Sequence, residues 1–400
     1  MPRSFFLTLI LLSSSLSAGD WPQYRGVNRD GFSPEIGLAR SWPEGGPRVL
    51  WRRPVGEGYS TVSTAGGRLY TMDSDNETEY ALALKPETGE AVWRTPVGPK
   101  FLDELGNGPR ATPTVDGDVL YTLSARGRLV ALKTADGAKV WEVDLPQAFG
   151  AKVPNWGFSA SPLVEGDLVL LEVGAAGKGL VAFDKKTGAV RWSARDGDAA
   201  YSSPVSMTIG GVRQLVFTRR TGSEVVALTP GGEVLWSHAG PPTVITMARF
   251  IPPDKVYVSA GDDFGALLLK IKSEAGKMTA EEIWKTRGMK NHFNDPVVVG
   301  DYLYGFDNGT FKCLSLATGE QTWAQRGLGK GSLITADGLL IVLSDRGTLV
   351  LAEASPTGYK ELARFDATQG KAWTSPTLAD GRLYLRDEDE IVALDLRKPS

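Results

Sequence analysis

The sequence predicts an all-β fold, an eight-bladed β-propeller with four-stranded antiparallel blades, in which an N-terminal strand closes the last blade. Three observations predict it. A short motif recurs along the 400-residue chain, a tryptophan recurs with it at intervals of 42, 48, 51, 44, 48 and 39 residues, and the two termini carry complementary parts of one repeat. Repeats of roughly 40 to 50 residues that cannot bury their own apolar faces are typical of propeller blades.

The later half of each repeat follows the pattern Ala-Leu-x-x-x-Thr-Gly-x-x-x-Trp, which predicts two strands joined by a tight turn. The glycine supplies the positive φ that the turn requires. We interpret the tryptophans as apolar wedges between blades rather than as a stacking ladder for a ligand. An insertion separates Gly276 from Trp284, and in the seventh copy Leu362 is expected in the tryptophan position. The other copies lie at residues 83–93, 131–141, 182–192, 227–236 and 313–323.

The two termini predict how the ring closes. Residues 49–55 resemble a last strand with no blade before it, whereas residues 375–396 contain three strands without the last one. Joining them completes an eighth blade and removes the open sheet edges, so Trp51 is expected beside residues 391–396. Seven blades is the alternative, if the irregular residues 243–284 do not form a blade.

The N-terminus predicts a signal peptide. A short basic start with Arg3 precedes an apolar run from Phe5 to Leu12 and small residues that end at Ala18. A buried first strand is the alternative interpretation. The expected organisation is therefore a signal peptide at 1–18, an N-terminal extension at 19–47 and a single propeller at 48–400. After cleavage we expect a soluble protein that is periplasmic or otherwise exported.

Composition excludes several functions. The formal charge of −3 offers no basic face for nucleic acid, and no segment after the signal peptide is apolar enough to span a membrane. Cys313 is the only cysteine, so an intramolecular disulfide is impossible and the signal region offers no cysteine for a lipid anchor. We expect Cys313 to be a small core residue.

The repeat resembles that of the pyrroloquinoline-quinone (PQQ)-like propeller family over about residues 48–396. The opening Asp-Trp-Pro-Gln-Tyr-Arg-Gly at residues 20–26 and the segments 108–113 and 154–162 resemble a group of exported bacterial members. The family includes PQQ-dependent alcohol dehydrogenases and the BamB lipoprotein of the outer-membrane β-barrel assembly machine. The resemblance implies the fold, whereas activity depends on the individual site.

The residues depart from the dehydrogenase pattern. Many quinoproteins of the family place two adjacent cysteines over the cofactor and bind Ca²⁺ through several oxygen ligands. The acidic cluster Asp73-x-Asp75-x-Glu77 is interpreted as a solvated turn, and the two histidines, His238 and His292, form no zinc motif. We therefore expect no metal and no cofactor. A PQQ-dependent alcohol dehydrogenase-like oxidoreductase remains an alternative function.

A BamB-like envelope assembly factor is the second alternative, although BamB proteins are normally anchored by a lipidated cysteine that this protein lacks.

The central mouth of the propeller is the remaining candidate site. Connections from the outer strand of one blade to the inner strand of the next converge there, and their rings, cations and amides suit a planar or anionic ligand. We expect a non-catalytic binding or scaffold protein that docks an unidentified protein or small ligand at this mouth, centred on Trp156 and Trp373. The residues expected to bind are Arg110, Trp156, Tyr201, Arg249, His292, Asn294, Lys330 and Trp373.

Overall fold

The computed structural model of the protein is an eight-bladed propeller of four-stranded antiparallel sheets, which confirms the predicted fold class. It describes residues 19–398 except Val244, Asp262 and Ala275. The predicted signal peptide and its cleavage site lie outside the described residues. Within the described part of the chain, no helix is long and apolar enough to cross a membrane.

The first four blades follow one another along the chain. Blade 1 contains β3 (Ser63–Ala65), β4 (Arg68–Ser74), β5 (Thr78–Leu84) and β6 (Ala91–Pro99). Blade 2 contains β7 (Thr114–Asp116), β8 (Val119–Leu123), β9 (Arg128–Lys133) and β10 (Lys139–Asp144), followed by the short helix α1 (Leu145–Phe149). Blade 3 contains β11 (Leu163–Glu165), β12 (Leu168–Ala175), β13 (Lys178–Asp184) and β14 (Val190–Ala194). Blade 4 contains β15 (Val205–Ile209), β16 (Val212–Arg219), β17 (Glu224–Leu228) and β18 (Val234–Ala239).

The last four blades include the irregular region and the seam. Blade 5 contains β19 (Arg249–Ile251), β20 (Lys255–Ala260), β21 (Gly265–Glu274) and β22 (Lys277–Thr286). Blade 6 contains β23 (Val297–Val299), β24 (Tyr302–Asp307), β25 (Thr310–Ser315) and β26 (Gln321–Gln325). Blade 7 contains β27 (Ser332–Ala336), β28 (Leu339–Leu343), β29 (Thr348–Glu353) and β30 (Glu361–Asp366), and β1 (Phe32–Ser33) pairs in parallel with β27. Blade 8 contains β31 (Thr377–Ala379), β32 (Arg382–Arg386), β33 (Glu390–Asp395) and β2 (Arg48–Pro54).

Blades 5 and 8 decide the count in favour of eight. The irregular residues form a complete blade whose β21–β22 hairpin is longer than its counterparts, which accounts for the wide spacing between Gly276 and Trp284. Blade 8 is closed as predicted, because Trp51 of β2 pairs with Ala393 of β33. The ring therefore has no open sheet edge at the seam.

Five of the seven repeat tryptophans pack against the turn glycine of the following blade, and these are Trp51, Trp93, Trp141, Trp192 and Trp284. A Cβ atom on Gly137 would lie 2.7 Å from the ring of Trp93, and one on Gly89 would lie 2.8 Å from the ring of Trp51. The indole nitrogen of Trp93 also donates to the carbonyl of Thr134 at 2.9 Å. The glycine is therefore required both for its positive φ, 72° at Gly137, and for the space that the indole occupies.

The expected position of Leu362 was wrong by one residue. Tryptophans of the other blades follow a bulge and face the third strand, as Trp93 faces Ala83. In blade 7 the residue in this register is Ala363, which faces Leu351, whereas Leu362 occupies the bulge.

The N-terminal segment that precedes β2 packs against the blades of the propeller. Arg25 donates to the carbonyls of Leu333 and Pro296 at 3.0 and 3.1 Å, which lie in blade 7 and at the start of blade 6. Arg29 donates to the carbonyls of Ser161 and Pro204, at the starts of blades 3 and 4, at 3.1 and 3.0 Å. Both arginines are buried. Their guanidinium groups therefore satisfy carbonyls that face the axis of the propeller.

Other contacts of the same segment reach the remaining blades. Trp21 bridges to Thr64 in blade 1, Pro22 accepts from Val115 in blade 2, Asp30 lies 3.8 Å from Arg249 in blade 5, and Leu38 bridges to Arg397 after blade 8. Residues 21–38 therefore contact every blade. We call them the plug.

Candidate functional site

The central mouth contains a cavity of about 330 Å³, which we call the cup. Its walls come from the connections between blades, and Tyr24 of the plug contributes from the other end. The residues that line the cup are Tyr24, Tyr59, Thr61, Asp103, Leu105, Arg110, Thr112, Trp156, Ser159, Ser161, Tyr201, Ser203, Ile245, His292, Phe293, Lys330 and Trp373.

Hydroxyl groups at equivalent positions of neighbouring blades form a belt around part of the cup. The backbone N–H of Thr61 donates to the hydroxyl of Thr112 at 3.3 Å, that of Thr112 donates to Ser161 at 2.9 Å, and that of Ser161 donates to Ser203 at 2.8 Å. Three of these residues precede a proline that comes directly before an inner strand, and this Ser/Thr-Pro pair recurs in the sequence. The belt therefore fixes the backbone positions at which the walls of the cup start.

Aromatic rings form two groups in the walls. Trp156 and Tyr201 have ring centroids 5.0 Å apart. On another part of the wall Trp373 stacks on Tyr59 at 5.7 Å and contacts Phe293 at 4.9 Å. Rings at these separations stabilise one another, so the aromatic walls are already arranged without an occupant.

Tyr59 is held by a small polar network. Its hydroxyl lies 2.8 Å from the carbonyl of Leu105 and within hydrogen-bond distance of the carboxylate of Glu388, so its single proton is shared between these acceptors. The ammonium of Lys371 donates to the hydroxyl oxygen at 3.1 Å. Burial and the neighbouring Glu388 carboxylate raise the pKa of Tyr59. The phenol is therefore neutral, and its ring is fixed beside Trp373.

Arg110 lines the cup but acts as a clamp between two connections. Its Nε donates to the carbonyl of Trp156 at 2.7 Å, Nη2 donates to Gly106 at 2.7 Å, and Nη1 donates to Gly108. The carboxylate of Asp103 lies 4.0 Å away. Burial lowers the pKa of Arg110. With its donors directed at backbone carbonyls, this guanidinium positions the wall.

Lys330 and Asn294 have different roles in the same corner. The amide of Asn294 is buried and donates to the carbonyls of Lys330 and Gly331 at 3.0 and 2.7 Å. The backbone N–H of Lys330 donates to Asp345 at 3.0 Å. Asn294 therefore holds the backbone of Lys330 without lining the cup itself, whereas the half-buried side chain of Lys330 lines it.

Arg249 lies outside the cup, contrary to expectation. It begins β19, and its side chain is 10% exposed, 3.8 Å from Asp30 of the plug. Burial and the nearby positive charge of Arg25 lower the pKa of Arg249 to about 9. Tyr24 connects this region to the cup, since its hydroxyl lies 3.5 Å from the buried carboxylate of Asp295.

Six of the eight expected residues line the cup and two do not. Arg110, Trp156, Tyr201, His292, Lys330 and Trp373 do so. Sequence reasoning missed Tyr24, Tyr59 and Phe293. The aromatic character of residues 292–293 was the available signal for Phe293, and the resemblance of residues 20–31 to the start of related proteins was the signal for Tyr24.

Potential metal ligands do not converge in the described residues. They contain no group of three or more His, Cys, Asp or Glu side chains arranged to hold an ion. The acidic cluster is not a solvated turn throughout, because Asp73 is buried in β4 and accepts from Arg94 at 2.9 Å. Only Asp75 and Glu77 lie in the turn. Cys313 is buried in β25, as expected of a core residue.

The comparisons with known proteins identify the family. The family model described as outer membrane protein assembly factor BamB matches residues 77–325. The chain belongs to this BamB-type, PQQ-like family.

Individual relatives include both an enzyme and an assembly factor. The protein is 29% identical over 199 residues to quinoprotein alcohol dehydrogenase PedH of Pseudomonas putida, a match that covers 47% of this chain and only 31% of PedH. It is 24% identical over 321 residues to BamB of Salmonella typhimurium, covering 76% and 77% of the two proteins. Quinohemoprotein alcohol dehydrogenase of Comamonas testosteroni has a similar structure, with a TM-score of 0.64 at 11% identity, covering 96% of this chain and 81% of the dehydrogenase. This last likeness shows the fold alone.

The residues of the cup do not fit the quinone arrangement that the resemblance implies. A pair of adjacent cysteines is impossible, because the only cysteine lies inside blade 6. Asp103 is the only carboxylate among the described lining residues, and it faces Arg110. A hard cation such as Ca²⁺ requires six or more oxygen ligands, so this wall offers too few carboxylate and amide oxygens for one.

Proposed function

We propose that this protein is an exported binding protein whose cup receives a ligand or a loop of a partner protein, without catalysis. The observation that carries the proposal is the preformed aromatic wall. Trp156 is 38% exposed and Trp373 is half-buried, yet both are held by neighbouring rings. Exposed aromatic surface in a fixed concavity is typical of an interaction site.

The belt and the clamp support the same proposal. Backbone atoms of neighbouring blades are joined by the hydroxyls of Thr112, Ser161 and Ser203, and Arg110 joins the connections that contain Gly106 and Trp156. A wall held in this way loses little conformational freedom when an occupant binds, which favours affinity.

Membership of the BamB-type family favours a protein partner over a catalytic substrate. The match to BamB covers about three quarters of both proteins, whereas the match to the dehydrogenase covers less than half of this one. A role as a scaffold in envelope assembly is therefore the second candidate. In both cases the partner would contact the mouth.

Capture from envelope extract by the immobilised protein tests the proposal. Wild type is compared with Trp156→Ala and Trp373→Ala, and with Phe32→Ala as a control, because Phe32 is a similarly exposed ring on the plug. We expect a species that wild type and the Phe32→Ala variant retain and both cup variants lose. Retention of the same species by all four proteins would refute docking at the cup.

A further inference from the structure

Exposed apolar side chains continue the wall of the cup onto the outer surface. Leu102, Leu105 and Trp156 are 65%, 47% and 38% exposed. They belong to the connections that follow blades 1 and 2, the longest between blades. Leu105 and Trp156 also line the cup, so the two surfaces are continuous. We call these three residues the lip.

The lip is fixed from beneath by buried polar groups. Arg110 ties the carbonyl of Gly106 to that of Trp156. The carboxylate of Glu79 accepts from the backbone N–H groups of Phe101 at 3.2 Å and Ala125 at 2.8 Å. The apolar surface of the lip is therefore held towards solvent.

Lys330 supplies an unbalanced positive charge in the cup. Within residues 19–398, apart from the three positions excluded above, its ammonium makes no hydrogen bond or ion pair, although its backbone is held on both sides by Asn294 and Asp345. Two other cations at the cup are occupied. Arg110 donates to carbonyls, and Lys371, which lies over the ring of Trp373, donates to Leu105 and pairs with Glu388. A half-buried cation with no acceptor attracts an anionic group from an occupant.

We propose that the cup and lip together bind a peptide segment of a partner protein that carries a carboxylate beside an aromatic residue. The aromatic ring enters among Trp156, Tyr201 and Trp373, the carboxylate binds Lys330, and the adjoining apolar residues cover the lip. This inference rests on the proposed docking at the cup and adds the chemistry of the partner.

A peptide fits these observations better than a compact small molecule. The cup has the volume of a small ligand site, at about 330 Å³, but a molecule confined to it would leave Leu102 and much of Leu105 in water. An extended peptide covers both surfaces and presents alternate side chains to separate pockets. The carboxylate can come from the carboxyl terminus of the peptide or from an aspartate or glutamate side chain.

Binding of short fluorescent peptides by anisotropy tests the inference. One pair ends in Leu-Phe as the free acid or as the amide, and a second pair contains an internal Asp-Phe or Asn-Phe and ends as the amide. If the partner presents a terminal carboxylate, the free-acid peptide of the first pair should bind about tenfold more tightly than its amide. If the partner presents a side-chain carboxylate, the Asp-Phe peptide should bind about tenfold more tightly than the Asn-Phe peptide. A difference of this size is expected of a charge-assisted hydrogen bond. The preference should weaken as ionic strength rises.

Variants assign the preference to residues. Lys330→Met should reduce the affinity for the acid peptide to that for the amide peptide, and it should leave the affinity for the amide unchanged. Lys330→Arg should keep the preference for the acid. Lys85→Met is the control, since Lys85 is an exposed lysine paired with Glu90 on the outer hairpin of blade 1. Leu102→Ser should lower the affinities for the acid and the amide peptides by the same factor. Thermal unfolding of each variant checks that the fold is intact.

The outcomes separate the inference from the function on which it rests. Loss of peptide binding in Trp156→Ala and Trp373→Ala together with equal affinities for acid and amide would preserve docking at the cup and overturn the role of Lys330. If no peptide binds wild type but indole-3-acetate binds in a Lys330-dependent way, the partner is a small carboxylate and the peptide assignment is wrong. Peptide binding that none of the cup variants changes would overturn both proposals.

Discussion

The two ends of the central channel differ in the side chains that line them and in how deeply these are buried. At the plug, Arg25 and Arg29 are buried and direct their donors at backbone carbonyls of several blades. At the mouth, Trp156 and Trp373 remain partly exposed and rest on other rings. The comparison indicates that the plug is the more tightly bonded end, whereas the mouth leaves aromatic surface exposed.

Removing a plug arginine should cost the most stability. Arg29→Ala would remove the donor to the carbonyls of Ser161 and Pro204, whereas the carbonyl of Pro162 would keep only the hydroxyl of Thr114. We expect a loss of about 3–5 kcal/mol in the free energy of unfolding, comparable to removing one partner of a buried charged contact. Urea unfolding followed by circular dichroism measures it.

Arg126→Ala is the matched control at the mouth, because this exposed guanidinium donates to the single carbonyl of Lys100. It should change the free energy of unfolding by less than about 1 kcal/mol. An equal loss in the two variants would contradict the contrast between the ends.

The buried carboxylate of Glu79 beneath the lip should make the free energy of unfolding depend on pH. Burial raises the pKa of Glu79 to about 7, against hydrogen bonds from Ala125 and Phe101 that lower it. Because the folded-state pKa lies above the unfolded value, the stabilisation from this group is complete below about pH 4.5 and is lost as pH rises through about 7. The free energy of unfolding should fall by about 3 kcal/mol across this interval through this one group.

Glu79→Gln isolates that contribution, since the amide does not titrate. Unfolding free energies measured from pH 4.5 to 8 should decline less in this variant than in wild type. Other groups contribute to both curves, so the difference between them is the relevant quantity. Parallel curves would show that Glu79 does not titrate in this range.

Replacing an aromatic residue of the mouth by alanine should lower the free energy of unfolding less than replacing an aromatic residue between two blades. Trp373 is half-buried and loses contacts with Tyr59 and Phe293, so Trp373→Ala should lower the free energy of unfolding by about 1 kcal/mol. Trp93→Ala, at a contact between blades, should cost about 3–5 kcal/mol. If Trp373→Ala reached the same loss, Trp373 would be a packing residue rather than part of a docking surface.

The last prediction is that the protein has no PQQ-dependent oxidation activity. We expect no oxidation of alcohols above a no-protein control when the protein is incubated with PQQ, Ca²⁺ and an artificial electron acceptor. The physical reason is the lack of a cysteine pair and of converging oxygen ligands in the described wall. Measurable turnover would show that the mouth is a catalytic site.

The fold was accessible from the sequence because its signals are local and repeated. The glycine that follows threonine in residues 83–93 predicts the turn of the last hairpin of a blade, and Trp51 predicts the closure with β33. The plug was missed for the opposite reason. Arg25 and Arg29 bind carbonyls of distant blades, and residues 19–47 contain no repeated pattern from which these contacts could be predicted.

The residues around the cup were easier to predict from the sequence than the contacts that each of them makes. Residues outside the repeat pattern, such as Trp156 and Trp373, could be placed at the mouth because the connections between blades converge there. The role of Arg110 depends on loop carbonyls whose directions are set only by tertiary structure. Arg249 was placed wrongly for the same reason, since its direction towards Asp30 is not encoded nearby.

The contact between tryptophan and glycine has a consequence for where such a propeller can be cut. Six of the seven repeat indoles donate to a carbonyl in the turn of the next blade, but β33 and β2 come from opposite ends of the sequence and have no such turn between them. Ala363 stands in the tryptophan register before this seam, and Gly46 instead packs against Phe365. A circular permutant that joins residues 19 and 398 through a linker and opens the turn at Gly137 would place its new ends against Trp93. It would then have to supply a substitute contact there. An opening at Gly276 in the β21–β22 hairpin would not, because a Cβ atom added there meets no atom within 4 Å and Trp236 of the preceding blade donates to Gln214 of its own blade.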